Sequence, residues 1–235
     1  MEKIIVNHFV AKEFKTAEAV KTLRTNLLFS GDEIRVVGIT SFSGSEGKSS
    51  VAFQLAASLA QAGKRVLLLD TDLRKSVLAN RLRVKGKVDG LSHYLSGMAN
   101  VKDLLFETDV QGLYILFAGV RVPNAAEALG SNRFKALIPA LKQSFDYVIV
   151  DAAPLGQVID CAVMAPELDG VMIVVDTTAN SYKLERRIIQ QLKKSGGRIL
   201  GVILNRVDFS DKSGYYGKAY GYGYGYGYGS NAEKK

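Results

Sequence analysis

Six short apolar runs rich in β-branched residues punctuate the chain: 34–41 (IRVVGITS), 65–72 (RVLLLDTD), 112–119 (GLYILFAG), 146–154 (DYVIVDAAP), 170–178 (GVMIVVDTT) and 199–208 (ILGVILNRVD). Continuous apolar runs of this length suit strands buried on both faces. Helix-period segments lie between them. GKSSVAFQLAASLAQAG puts Val51, Leu55, Ala56, Leu59 and Ala60 on one face, with Gly63 just past its end as a stop. NRFKALIPALKQSF and SYKLERRIIQQLKKSGG behave similarly, and Pro139 marks a kink or a helix start in the first of them. Strand alternating with helix predicts an α/β fold: a mostly parallel sheet with helices on both faces, right-handed crossovers, and ligands at the carboxyl ends of the strands.

Three regions stand outside this alternation. Residues 1–33 read as an N-terminal arm and helix ahead of a domain over 34–208. Residues 73–110 are polar and broken, which predicts short helices or loops. Residues 209–235 contain GYYGKAYGYGYGYGYG, with seven of the chain's eleven tyrosines. Ordering glycine is entropically expensive, and tyrosine alone does not offset it, so this tail is expected to be disordered in the isolated chain.

At 235 residues and 47% hydrophobic, the chain can bury a core without staples. Cys161 is its single cysteine, so an internal disulfide is excluded and a reducing compartment is expected; packing, not reactivity, is its expected role. No apolar run is long enough to span a bilayer, and no signal peptide is visible. The formal charge of +8 permits an anionic partner, but the basic residues are scattered, which a solvated basic surface explains equally well. His8 and His93 are isolated, so no zinc spacing is present.

Chemistry concentrates at strand ends. VVGITSFSGSEGKSSVAF places a loop between a strand and a helix, opened by Gly47-Lys48-Ser49. Amides at a helix N-terminus bind phosphate, a lysine there reaches the outer phosphates, and a following Ser can ligate Mg²⁺. The match is imperfect, because Phe42 stands where the strict pattern has glycine. Asp70 and Asp72 end one apolar strand and Asp151 ends another. One such Asp is an ordinary cap or loop residue; three beside a phosphate loop are where Mg²⁺ ligands and a proton acceptor belong.

EGKSS, LLLDTDLRKS and VIVDAAP together resemble the Walker A, A′ and B elements of the bacterial tyrosine kinases. PNAAEALGSNRF is similar to that family's Asn-Pro-x-Glu-Leu segment, with Ala125 for proline. EAVKTLRTNL resembles its Glu-x-x-Arg-x-x-Arg oligomerisation helix, with Lys21 at the middle arginine. GVILNRVD resembles the strand whose Asn packs on the base. The likeness is strongest to cytoplasmic subunits of Gram-positive capsule and exopolysaccharide systems. DAAP in place of Asp-Thr-Pro-Pro, and Ser45 in place of a loop glycine, are departures.

The resemblance implies an ATP- and Mg²⁺-dependent protein-tyrosine kinase that modifies its own tail. Gly44, Ser45, Glu46, Gly47, Lys48, Ser49 and Ser50 would hold the nucleotide's phosphates, with Asn205 reading the adenine edge and Arg206 stacking on it. Ser49, Asp72 and Asp151 would hold the metal, and Asp70 would accept the phenol proton, although the division of roles between Asp70 and Asp72 stays open. The acceptors would be Tyr215, Tyr216, Tyr220, Tyr222, Tyr224, Tyr226 and Tyr228. Glu18, Lys21 and Arg24 would form a contact in a ring homo-oligomer. A membrane-anchored modulator would recruit the cytoplasmic chain to the membrane's inner face, a tyrosine phosphatase would reverse the modification, and no nucleic acid would be involved. Two other readings stand: a switch ATPase of the cell-division or partition kind, against which stand the absence of a lysine ahead of Lys48 in the loop and the presence of the tyrosine string; and a nucleotide-gated scaffold whose tail another kinase modifies.

Overall fold

The computed structural model describes residues 3–84, 86–178 and 182–207. Its strands are β1 (Lys3–Ile4), β2 (Val36–Ser41), β3 (Val66–Asp70), β4 (Phe106–Thr108), β5 (Leu113–Leu116), β6 (Tyr147–Asp151), β7 (Gly170–Asp176) and β8 (Ile199–Asn205). They form one sheet in the order β1-β4-β5-β3-β6-β2-β7-β8. Neighbours from β5 to β8 all pair parallel. β4 pairs antiparallel with β5, and β1 parallel with β4. The six longest strands coincide with the six apolar runs. β1 and β4 do not, because strands of two and three residues carry no pattern to read.

Alternation along the strands explains why the runs are continuously apolar. Val36, Leu67, Leu69, Val148, Val150, Val171 and Ile173 enter one core. Their neighbours Val37, Ile39, Val66, Leu68, Ile149, Met172 and Val174 enter the other. β2, β3, β6 and β7 therefore bury both faces, whereas β8, at the sheet's edge, is only partly covered despite its apolar run, with Val202 50% exposed. The helices are α1 (Phe14–Leu28), α2 (Lys48–Gln61), α3 (Leu78–Arg81), α4 (Leu91–Leu95), α5 (Ala125–Leu129), α6 (Asn132–Ser144), α7 (Asp160–Met164) and α8 (Tyr182–Lys194). α1, α2 and α3 cover the second core, while α4 to α8 cover the first.

Two elements differ from the pattern's simplest reading. α2 buries Ala52, Phe53, Ala57 and Ser58 beyond the expected stripe. The second covering is α1, whose Arg24 donates from Nη1 to the Ser58 carbonyl at 2.9 Å and to its hydroxyl at 3.2 Å. Pro139 lies inside α6 rather than at its start; the helix begins after Ser131, whose hydroxyl accepts from the Phe134 amide at 3.3 Å. No helix among the described residues is long and apolar enough to cross a membrane.

Candidate active site

Because β2, β3, β6, β7 and β8 run parallel, their carboxyl ends fall on one edge of the sheet. There the chain presents Ser41, Asp70, Asp151, Asp176 and Asn205. In-register pairing sets Asp70 directly opposite Asp151 on adjacent strands. Thr71 strengthens the join: its amide and hydroxyl donate to the Asp151 carbonyl at 2.9 and 3.0 Å.

The loop after β2 turns into α2 at Gly47, which has φ 92°. A Cβ there would run into the Asn205 amide, so both the angle and the space require glycine. Ser45 also sits in the left-handed region, with φ 67°. Glu46 is buried, and its Oε2 accepts from the Phe42 amide at 2.9 Å, closing the loop on itself.

Lys48 opens α2 and is 9% exposed. Its ammonium lies 3.4 Å from Asp72 Oδ2, 3.4 Å from Asp151 Oδ1 and 3.3 Å from the Ser49 hydroxyl. Burial alone would lower its pKa, but Asp151, then Asp72 and Asp70, outweigh burial and raise it. Asp151 is raised by burial, which its contacts with Lys48 and Ser49 only partly oppose. Asp70 is fully buried; burial, then the negative charge of Asp151, lift its carboxyl to about 7. Its oxygens accept from the Ser76 hydroxyl and, at 3.1 Å, from the Asp72 amide. Three buried carboxylates thus share one lysine.

A cavity of about 480 Å³ opens over this floor. Gly44, Ser45, Gly47, Lys48, Ser49 and Asp72 line it, together with Arg74, Lys75, Arg81 and Gln157, which sequence reasoning did not single out. The signal for the basic trio lay in LRKS, directly after Asp72, and in NRLR at 80–83. A run of cations behind an acid-ended strand was legible as a phosphate-facing wall. Four cationic side chains against one lining carboxylate favour a polyanionic ligand. Asp70 and Asp151 lie beneath the wall instead of forming it. Glu46 and Ser50 are not among the lining residues, but Ser50's hydroxyl accepts from Arg81.

Asn205 and Arg206 reach the loop from β8. Asn205 Nδ2 donates to the Glu46 carbonyl at 2.8 Å, and Arg206 Nη2 to the Ser45 carbonyl at 2.8 Å. Arg206 also pairs with Asp176, whose carboxyl is held below its ordinary range first by the Thr178 amide and then by the Thr178 hydroxyl. Asp176 was passed over in the sequence, although it too ends an apolar run. Cys161 is buried and its thiol is pushed up to about 12 by desolvation, so it is packed and unreactive. On α1, Glu18 and Lys21 are exposed and paired with each other at 2.7 Å, whereas Arg24 turns inward onto α2. Tyr215, Tyr216, Tyr220, Tyr222, Tyr224, Tyr226 and Tyr228 lie outside the described residues.

Residues 34–199 match the family model of an AAA domain. The tyrosine-protein kinase CpsD of Streptococcus agalactiae is 38% identical over 218 residues, which cover 91% of this chain and 95% of that protein. The chain belongs to the bacterial tyrosine-protein kinases. The kinase domain of VpsO superposes with a TM-score of 0.78 at 33% identity, covering 84% of this chain and 97% of that one. The septum site-determining protein MinD of Pyrococcus horikoshii, solved with Mg-ADP, gives 0.63 at 26% identity over 76% of this chain and 73% of its own. The phosphate loop is therefore part of a nucleotide-binding P-loop fold that the tyrosine kinases share with the MinD-like ATPases.

Proposed function

We propose that the protein transfers the γ-phosphoryl group of ATP to tyrosine, its own C-terminal cluster included, and that this regulates the synthesis and export of a capsular or extracellular polysaccharide. The observation that carries the reading is Lys48 at the head of α2, held between Asp72 and Asp151 in a chain 38% identical to a named tyrosine-protein kinase.

The residues fit a nucleotide and a magnesium ion. The cavity beside the loop is lined by Lys48, Arg74, Lys75 and Arg81, cations that suit a polyphosphate. The Ser49 hydroxyl and the carboxylates of Asp72 and Asp151 are hard oxygen donors of the kind magnesium takes, and two carboxylates on one lysine leave charge for an added cation. Magnesium, when bound, neutralises charge on the phosphates. Lys48, with the amides of 44–50, holds the phosphate oxygens. Asp70 is the proposed acceptor of the phenol proton, since a carboxyl near pH 7 is matched to neutral conditions. It lies behind Asp72, which lines the cavity and is the competitor for that role. Asn205 and Arg206 hold the loop in this reading, with the adenine edge within the same proposal.

The finer assignments follow the family: a membrane-anchored modulator whose cytoplasmic segment stimulates weak basal activity and brings the chain to the membrane's inner face, a ring homo-oligomer through the Glu18/Lys21/Arg24 helix, and a phosphatase that resets the tail. Incubating the full chain with labelled ATP, with and without a modulator segment, tests the reading. Label on tyrosine supports it. Free phosphate alone points to a MinD-like ATPase, and neither product points to a scaffold.

A further inference from the structure

Arg74 and Asp160 form an ion pair that the proposed chemistry has not used. Arg74 follows Asp72 by two residues and lines the cavity. Asp160 begins α7 and has no solvent exposure. Arg74 Nε donates to Asp160 Oδ2 at 2.7 Å, and Nη2 donates to Oδ1 at 3.0 Å. This is a two-bond fork, which fixes the guanidinium in rotation as well as in position. Nη1 lies 3.4 Å from the Pro123 carbonyl, a weak contact. The guanidinium keeps N–H groups beyond those the fork consumes, and its side chain is 33% exposed on the cavity side of the pair.

Place matters as much as geometry. Arg74 belongs to the segment that carries Asp70 and Asp72. Asp160 belongs to the segment that leaves Asp151, which Thr40 fastens to β2 by donating to the Ala153 carbonyl at 2.8 Å. The pair therefore bridges the two acid-bearing loops, far apart in sequence. A role for Asp160 as a mere helix cap is disfavoured, because both its oxygens are taken by the arginine.

We infer that Asp160 is a positioning residue, which holds the Arg74 guanidinium on the cavity wall so that its remaining N–H groups meet the phosphoryl group in transit. This rests on the phosphoryl-transfer reading of the cavity. Oriented donors aimed at developing charge act on the chemical step more than on ground-state binding.

The test uses the full chain with Mg·ATP, following phosphotyrosine and free phosphate together. Asp160→Asn keeps the shape but removes the charge that orients the fork, and is expected to lower kcat about tenfold to a hundredfold while KM for ATP moves less than about threefold. Arg74→Lys, which retains charge without the fork, should give a similar drop, and Asp160→Glu should recover part of the activity. Asp160→Asn combined with Arg74→Lys should be no worse than the poorer single variant, because both remove one device. Unchanged kcat in Asp160→Asn at a temperature where it is folded overturns the inference, as do defects that multiply in the double variant. If Asp160→Asn does not fold, Arg74→Lys against wild type decides by the same kcat and KM split. Should wild type release phosphate but label no tyrosine, the kinase reading fails, and the same cycle read in phosphate release still judges the pair.

Discussion

Asp70 is buried away from water beside Asp151. Its folded pKa of about 7 lies above the ordinary carboxylate value, so the folded protein holds a proton that the unfolded chain releases from about pH 4 upward. Stability is therefore expected to fall as pH rises between about 4 and 7. Asp70→Asn can still accept from the Asp72 amide and donate to Ser76. It should remove that fall, seen as a melting temperature above wild type at pH 8 and near it at pH 4. In catalysis the sign is reversed. A base must be deprotonated, so kcat should rise through about pH 7 in wild type, and Asp70→Asn should lose both rate and slope. A second residue-scale expectation concerns Ser45, whose left-handed φ of 67° strains a side chain that glycine would lack. Ser45→Gly should stabilise by up to about 1 kcal/mol in denaturant unfolding, the glycine's greater freedom when unfolded limiting the gain. The identities of Lys48, Asp70, Asp72 and Asp151 were readable because each closes or opens an apolar run. Their depth was not: burial of Asp70 follows from Ser76 and from the register of β3 with β6, neither of which leaves a mark in the sequence.

At the scale of elements, the phosphate loop is a bracket held from two sides. Gly47 starts α2 within van der Waals reach of β8, and Asn205 and Arg206 at the end of that strand donate to the carbonyls of Glu46 and Ser45. If Asn205 serves the loop, Asn205→Ala should weaken ATP and inorganic triphosphate alike, by about fivefold for one lost hydrogen bond, in equilibrium titration. Loss confined to ATP, with triphosphate unaffected, would instead assign Asn205 to the base. The long strands and α2 were legible from periodicity. The supports between them were not, since β1, β4 and the five-residue helices α4, α5 and α7 are too short to show a period. Asp160 opens such a helix, and nothing in the sequence pairs it with Arg74, 86 residues away.

For the whole molecule, the proposed ring assembly ties catalysis to association. Glu18 and Lys21 stand on the exposed face of α1, while Arg24 also fastens α1 to α2. Replacing all three by Ala should yield monomers with poor autophosphorylation. Arg24→Ala alone should in addition lower the melting temperature, because the Ser58 contacts go with it. Each phosphotyrosine adds about −1.5 to −2 charges at neutral pH, so seven would add roughly −10 to −14. The formal charge is +8, and a full set would reverse it. Phosphorylation is therefore expected to dissolve the assembly. Light scattering before and after Mg·ATP, at low and high salt, should register a fall in mass. Tail tyrosines replaced by Phe should hold the assembled mass, and an unchanged mass despite several phosphates per chain would count against electrostatic release.

The central claim is that Lys48 and its three carboxylates move phosphate onto tyrosine. The most direct measurement is phosphotyrosine per chain, by mass spectrometry of the full-length protein after incubation with Mg·ATP, for wild type and Lys48→Met, with circular dichroism to verify that both are folded. The account predicts several phosphotyrosines on the wild-type tail and none on folded Lys48→Met. Tail phosphotyrosine appearing at the wild-type rate in Lys48→Met would contradict it.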